Sequence, residues 1–158
     1  MKGNSRILEV LADLLASELS AASTYFVHAK MRDNWGYPQL AKRAYDDSID
    51  EMRHAEKLIE RIIYFDGTPN LQRLNRIRVG SGVTQQLQNE LMLEKATVEA
   101  LVAAIALCRE VGDDGSRLLF EPMLADGEES IDWLETQLDL VEKLGESTYL
   151  AQHIRGDE

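Results

Sequence analysis

Cysteine, proline and positive charge are scarce in this chain of 158 residues. The single Cys108 cannot close an intrachain disulfide, which fits a reducing compartment. Ten glycines and three prolines are mostly clustered, so long regular elements are allowed between the clusters. Lys and Arg number 17 against 28 Asp and Glu, a formal charge of −11. That balance argues against a nucleic-acid partner, because a phosphate backbone needs a basic footprint. It suits cations, although a solvated acidic surface has the same composition. No run of about 18 apolar residues occurs, and no apolar stretch follows Met1-Lys2-Gly3-Asn4 as a secretory leader requires. The expectation is a cytoplasmic protein with no membrane partner. With 44% apolar and 28% charged residues, residues 1–158 are expected to form one domain with a sizeable core.

What is present is helical periodicity, organised around Asp50-Glu51-Met52-Arg53-His54. At about 3.6 residues per turn, Glu51 and His54 share a face and can converge on one metal ion, while Met52 is rotated onto another surface. The first helix is expected over Ile7–Met31, capped by Asn4 or Ser5. Glu18 falls either on its apolar stripe, with Leu11, Leu14, Ala22 and Tyr25, or on the solvated flank of that stripe. Asp33 to Pro38 breaks the helix. A second helix from Pro38 to Phe65 carries two apolar stripes. Leu40, Ala44, Ala55, Leu58 and Ile62 accompany Glu51 on one; Tyr45, Ile49, Ile59 and Ile63 accompany Met52 on the other. Such a helix buries one face in its own bundle and the other against another subunit. Asp46, Asp47 and Asp50 form an acidic patch on the remaining face, for which solvation is the simple reading.

Residues 66–82 suit a crossover along a bundle. The third helix, Thr84–Val111, places Glu94 among six otherwise apolar stripe positions, which favours burial. The fourth, Ser116–Leu144, has Gly127 mid-helix at a cost of about 0.8–1.0 kcal/mol relative to Ala, and Ser130 one turn on. A short fifth helix over 146–154 precedes a polar tail. His28 and His153 are read as surface or interface residues. The expected fold is an all-α four-helix bundle with a long crossover between helices two and three.

Di-iron bundles take one Glu from each of two helices and Glu-x-x-His from each of the other two. This chain supplies Glu18, Glu51-x-x-His54 and Glu94, but the fourth helix reads Gly127-x-x-Ser130. Glu128 and Glu129 point about 100° and 200° away from residue 127. Gly127 leaves space where a ligand would be. Without a metal, close buried carboxylates cannot all stay ionised cheaply, so at least one should have a raised pKa, or the bundle should open slightly.

The chain resembles the bacterioferritins over nearly its whole length. The residues that carry the resemblance are Met1-Lys2-Gly3, Tyr25-Phe26-Val27-His28-Ala29, Asp33-Asn34-Trp35-Gly36, Ser48-Ile49-Asp50-Glu51-Met52-Arg53-His54-Ala55, Leu58-Ile59-Glu60-Arg61-Ile62, Pro69-Asn70-Leu71-Gln72 and Ser130 to Leu140. The resemblance implies a ferritin-like fold and a cage of twenty-four subunits that stores iron as a ferric mineral. It implies haem b held between paired subunits by Met52 of each, although an anonymous Met there would simply fill an apolar interface. It assigns Glu18 and His54 as terminal ligands of one iron, Glu94 as a terminal ligand of the other and Glu51 as a bridge, with the second bridge and second His missing at 127 and 130. Asp46 and Asp50 become further candidates for iron on the cavity face. A small iron–sulfur ferredoxin is the implied haem reductant, docking near Thr68-Pro69-Asn70-Leu71. The pattern looks like that of a haem-binding, ferroxidase-poor subunit, in a homo-oligomer or in a mixed cage with a ferroxidase-competent one. An active ferroxidase at a remodelled or mononuclear site remains open, as does a non-storage bundle.

Overall fold

The computed structural model describes residues 2–154. Residue 1 and residues 155–158, which the expected domain and its polar tail include, lie outside the described residues. The chain forms α1 (Ser5–Asn34), α2 (Pro38–Tyr64), α3 (Val83–Val111), α4 (Asp114–Leu144) and α5 (Glu146–Ala151), with no strand among the described residues. This is the expected all-α bundle with its long crossover, and the short fifth helix ends three residues earlier than expected.

Local chemistry sets the helix ends. Asn4 Oδ1 accepts from the amides of Arg6 and Ile7 at 2.8 and 3.4 Å, capping α1. Pro38 opens α2, where its missing N–H costs nothing. Gly112 ends α3 at φ 75°, a left-handed conformation that glycine adopts without strain. Asp113 caps α4 by accepting from Ser116 N at 3.0 Å. α4 also carries Pro122 in its interior. The proline frees the Leu118 carbonyl, but both residues lie on the exposed face, where water can satisfy it.

α1 packs chiefly on α2, and α3 on α4. Two apolar clusters fill opposite ends of the bundle. One joins Ile7, Leu11 and Leu14 of α1 to Leu58 and Ile62 of α2, Leu101, Ile105 and Cys108 of α3, and Phe120 and Met123 of α4. The other joins Leu40, Val83, Leu87, Leu134 and Tyr149. The pairing of early α1 with late α2, late α3 and early α4 makes α2 and α3 parallel, which is why the connection between them is long. Leu124 and Ile131 of the α4 stripe are only half-buried. α1 alone among the described helices is long and apolar enough to cross a membrane; 56% of its most apolar window is buried in the bundle, as befits a core helix.

The crossover is pinned by polar contacts. Asn75 N donates to Ser20 Oγ at 2.8 Å, and Arg73 pairs with Asp13 at 2.7 Å. At its end, Gly80 N donates to Nε2 of His28 at 3.1 Å. His28 is therefore not a surface or interface residue: it is fully buried. Its Nδ1 donates to Glu90 Oε2 at 2.6 Å, and Arg32 Nη2 donates to the same oxygen at 2.6 Å. Arg32 also donates to Gln86 Oε1 at 2.9 Å, and Gly80 packs so close to Gln86 that a Cβ would meet its backbone N at 2.5 Å. Nothing in the sequence around His28 marks it as a core residue. Its partners lie 52 and 62 residues away, and no periodicity within α1 reveals them.

Glu90 thus neutralises Arg32 inside the core. Glu90→Ala should leave that guanidinium buried without a counter-charge and destabilise each subunit by roughly 3–5 kcal/mol. Thermal unfolding will read the loss. Glu110→Ala, which breaks only an exposed pair with Arg6, should leave the melting temperature nearly unchanged.

Candidate metal centre

Between the two apolar clusters the bundle turns polar. Glu18 from α1 and Glu51 and His54 from α2 are all buried, and one ligand atom from each lies within 4.8 Å of the others. His54 Nδ1 is 3.5 Å from Glu18 Oε2 and 3.7 Å from Glu51 Oε2. The spacing of three puts Glu51 and His54 on one face of α2, and α1 crosses that face at Glu18. Glu18 is a core residue, not a flanking one. Its Oε2 is buried and makes no hydrogen bond, a costly state that a cation would relieve. Two carboxylates and an imidazole are a donor set that suits a divalent iron, manganese or zinc ion.

Glu94 approaches from α3 and is buried too. Its Oε1 accepts from the hydroxyl of Tyr25 at 2.7 Å. Position 127 faces this carboxylate: a Cβ on Gly127 would lie 3.8 Å from Glu94 Oε2 but 2.8 Å from Val98 Cγ2. The expected space at Gly127 is therefore taken up by a methyl group of α3. Glu128 and Glu129 are exposed, and Ser130 is half-buried. The fourth helix contributes through a residue the periodicity did not single out. Asp126 Oδ2 lies 2.8 Å from His54 Nε2.

His54 and Glu51 also line an open-sided cleft of about 490 Å³ that leads out between α2 and α4. Asp46, Asp47, Asp50, Asp126 and Glu129 line it with Arg43, Arg53 and Lys57. Asp46 and Asp50 are exposed and paired within their own helix, Asp46 with Lys42 at 2.7 Å and Asp50 with Arg53 at 3.6 Å. Asp47 departs from the expected solvated patch, because its side chain is only 14% exposed. Arg43 holds it at 3.1 Å and lays its guanidinium over the Trp133 ring at 4.2 Å. Met52 points away from all of these. It is 48% exposed, on a face shared with Tyr45 and Ile63 and next to Phe26 of α1.

Burial dominates the protonation of this layer. It pushes the carboxyls of Glu51 and Glu94 well above their ordinary range, helped by the neighbouring Glu18 for Glu51 and by Glu51 for Glu94. Burial opposes charge on His54, but the attraction of Glu18 and Glu51, 3.5 and 3.7 Å from Nδ1, outweighs it and raises the imidazole to about 11. Burial lifts Asp47 to about 7 despite Arg43. The phenol of Tyr25 is raised by burial and by Glu94.

The residues missed in the sequence differ in how visible they were. Tyr25 lies seven positions after Glu18 on the same stripe, so its approach to the site was legible. Asp126 reaches His54 from the side of α4 facing the cleft, and only the packing of α4 beside α2 shows it.

The ferritin-like domain family matches residues 8–144. The bacterioferritin of Mycolicibacterium paratuberculosis is 46% identical over 152 residues, covering 96% of each chain. That of Streptomyces coelicolor is 47% identical over 151 residues, or 96% of this chain and 90% of the relative. That of Brucella melitensis is 44% identical over 149 residues, or 94% and 92%.

A pH prediction follows from the raised values. Between 3.8 and about 7 the folded chain keeps a proton on Asp47 that the unfolded chain has released, so stability falls as pH rises through that window. Glu51 and Glu94 act with the same sign. The stabilisation from protonated His54 is full below 6.5 and is lost as pH rises through about 11. The metal-free protein should therefore unfold at progressively lower temperature from mildly acidic to alkaline pH, and Asp47→Asn should flatten the part of that slope below about 7.

Proposed function

The chain belongs to the ferritin-like family, in its bacterioferritin branch, and on that premise we propose that it forms an iron-storage cage whose subunits hold haem between paired copies and oxidise iron poorly on their own. It is an iron-storage ferritin-like subunit.

The observation that carries the reading is the contrast between the two halves of the centre. Glu18, Glu51 and His54 offer one Fe(II) two carboxylates and an imidazole. A second Fe(II) would find Glu94, already bonded to Tyr25, and a glycine backed by Val98. Transfer of two electrons to oxygen or peroxide at one place needs both irons held together. Where only one is held, each oxidation releases a single electron, and the rate drops. The cleft lined by Asp46, Asp50 and Asp126 offers a path of negative charge by which Fe(II) enters as substrate. A ferroxidase-competent partner subunit in the same cage would supply the fast oxidation. The Glu18, Glu51 and His54 trio also favours a second reading, an active ferroxidase at a remodelled or mononuclear site, which stopped-flow oxidation separates from the first; particle size separates both readings from a non-storage bundle. The cytoplasm is the proposed compartment.

Met52 supports the haem assignment. A thioether on an exposed apolar face, with Tyr45 and Ile63 beside it, is a surface that a paired copy would cover. The thioether of Met52 from each copy would hold a haem between them, and bound haem would supply electron transfer toward stored ferric iron. A small iron–sulfur ferredoxin is the proposed reductant. The crossover near Leu71, 59% exposed, is its proposed docking surface.

Two measurements test this function. Stopped-flow oxidation of Fe(II) by the unaltered homopolymer should be slow. Gly127→Glu with Ser130→His should accelerate it by about tenfold or more once Val98→Ala makes room. Fast, saturable oxidation at two irons per subunit in the unaltered cage would refute the incomplete-centre reading. Reconstitution with haem should give a Soret band that Met52→Leu abolishes.

A further inference from the structure

The crossover ends in a clasp in which each hydrogen-bonding role is fixed. The Gly80 amide can only donate, so His28 Nε2 accepts it, at 3.1 Å. Nδ1 then carries the ring's single proton and gives it to Glu90 Oε2 at 2.6 Å. One neutral imidazole thus joins α1, α3 and the crossover, while Arg32 Nη2 balances the charge of Glu90 at 2.6 Å. The other ties of this stretch are longer: Gln86 Nε2 to Gly80 O at 3.3 Å and Asn89 Nδ2 to Arg78 O at 3.2 Å. Upstream, Asn75 is anchored on α1, to Ser20 Oγ at 2.8 Å and Ser17 Oγ at 3.0 Å. Residues 76–80 therefore form a strap between that anchor and His28. A cavity of about 410 Å³ lies beside the strap, lined by Arg76, Arg78, Met92 and Leu93.

We propose that His28 is an acid-released latch: a second proton on its ring frees residues 76–80 from the bundle and opens the cavity between strap and α3. An Nε2–H would stand 3.1 Å from the Gly80 nitrogen, donor against donor. Both residues are buried, and a buried donor left without an acceptor is costly. Glu90 goes on holding the charged ring through Nδ1, so the Nε2 side gives way. Water reaches the two donors once the strap lifts. The charged and titratable groups around this point are Arg32 and Tyr25 of α1, Asp47 of α2, Glu90 of α3 and Tyr149 of α5. Among the described residues only Glu90 and Gly80 bond to the ring, so none of these groups offers Nε2–H an acceptor.

Hydrogen exchange read by mass spectrometry on the assembled protein tests the latch, with rates corrected for the pH dependence of an unstructured amide. The window runs from about pH 8 to about pH 5, where histidine side chains titrate. At its acid end the amides of 76–80 should exchange about tenfold faster or more, while those of 17–23 in α1 hold steady. Exchange of the His28 Cε1–H in the same samples gives that ring's own titration midpoint, which should coincide with the loosening of the strap. His28→Gln offers the same two bonds, an amide N–H to Glu90 and an amide oxygen to Gly80, and has no proton to gain. It should keep the strap protected throughout, and Asp47→Asn should leave the transition in place. The latch is wrong if the parent strap stays protected across the window, or if its loosening and the His28 midpoint lie more than about one pH unit apart. It is equally wrong if His28→Gln loosens in step with the parent, or if Asp47→Asn abolishes the transition. A glutamine variant that is loose at every pH would show that the ring holds the strap, and the coincidence of midpoints then decides whether protonation releases it.

Discussion

Carboxylates in the middle of a helical bundle must be met by positive charge or by hydrogen-bond donors, and this constraint shapes the interior. The chain answers it twice, in different ways. Around Glu90 it provides its own cation. Arg32 and His28 donate to one carboxylate oxygen, Gln86 and Gly80 complete the network, and the end of the crossover is bound into the core as a result. Around Glu18, Glu51 and Glu94 it provides only His54 and the Tyr25 hydroxyl. Three acidic side chains against one imidazole leave burial to raise the carboxyls of Glu51 and Glu94 and leave Glu18 Oε2 without a hydrogen bond, His54 Nδ1 standing 3.5 Å away. On the proposed reading, a cation from outside completes this second layer.

The two apolar clusters make that layer possible. They carry the packing at the two ends of the bundle, so the polar middle can be under-satisfied without unfolding the chain. α2 then serves two surfaces at once. Glu51 and His54 turn inward, while Met52, one position after Glu51, turns to an exposed apolar face. A helix places adjacent residues about 100° apart, and that rotation alone separates the proposed iron-binding role from the proposed haem-binding one within four residues.

On the proposed reading, the incompleteness of the centre is a matter of packing as well as of missing ligands. Val98 lies where a side chain at 127 would begin, so α3 and α4 have closed over the position. On its other side, α4 borders the cleft, and Asp126 meets His54 there. The same helix is thus shut on its core side and engaged on its solvent side, which makes the cleft, not the bundle axis, its route to the centre.

The helices, their stripes, the crossover and the inward aim of Glu51 and His54 were legible in the sequence, because each depends on periodicity within one segment or on turn residues at its ends. Glu94 was legible for the same reason, as a charge amid apolar stripe positions. Glu18 was legible only as a choice between core and flank, since one helix cannot say how far it is rotated against its neighbours. His28, Asp47, Val98 and Asp126 were decided by tertiary structure. Each takes its role from a neighbour on another helix or in the crossover, or from the depth at which its own helix is set, and contacts of that kind depend on rotation, offset and side-chain reach that no local pattern encodes. So the sequence by itself determined the bundle and most of the inward-facing donors. Packing alone decided that the gap at Gly127 is filled by Val98 and that α4 touches the centre through Asp126.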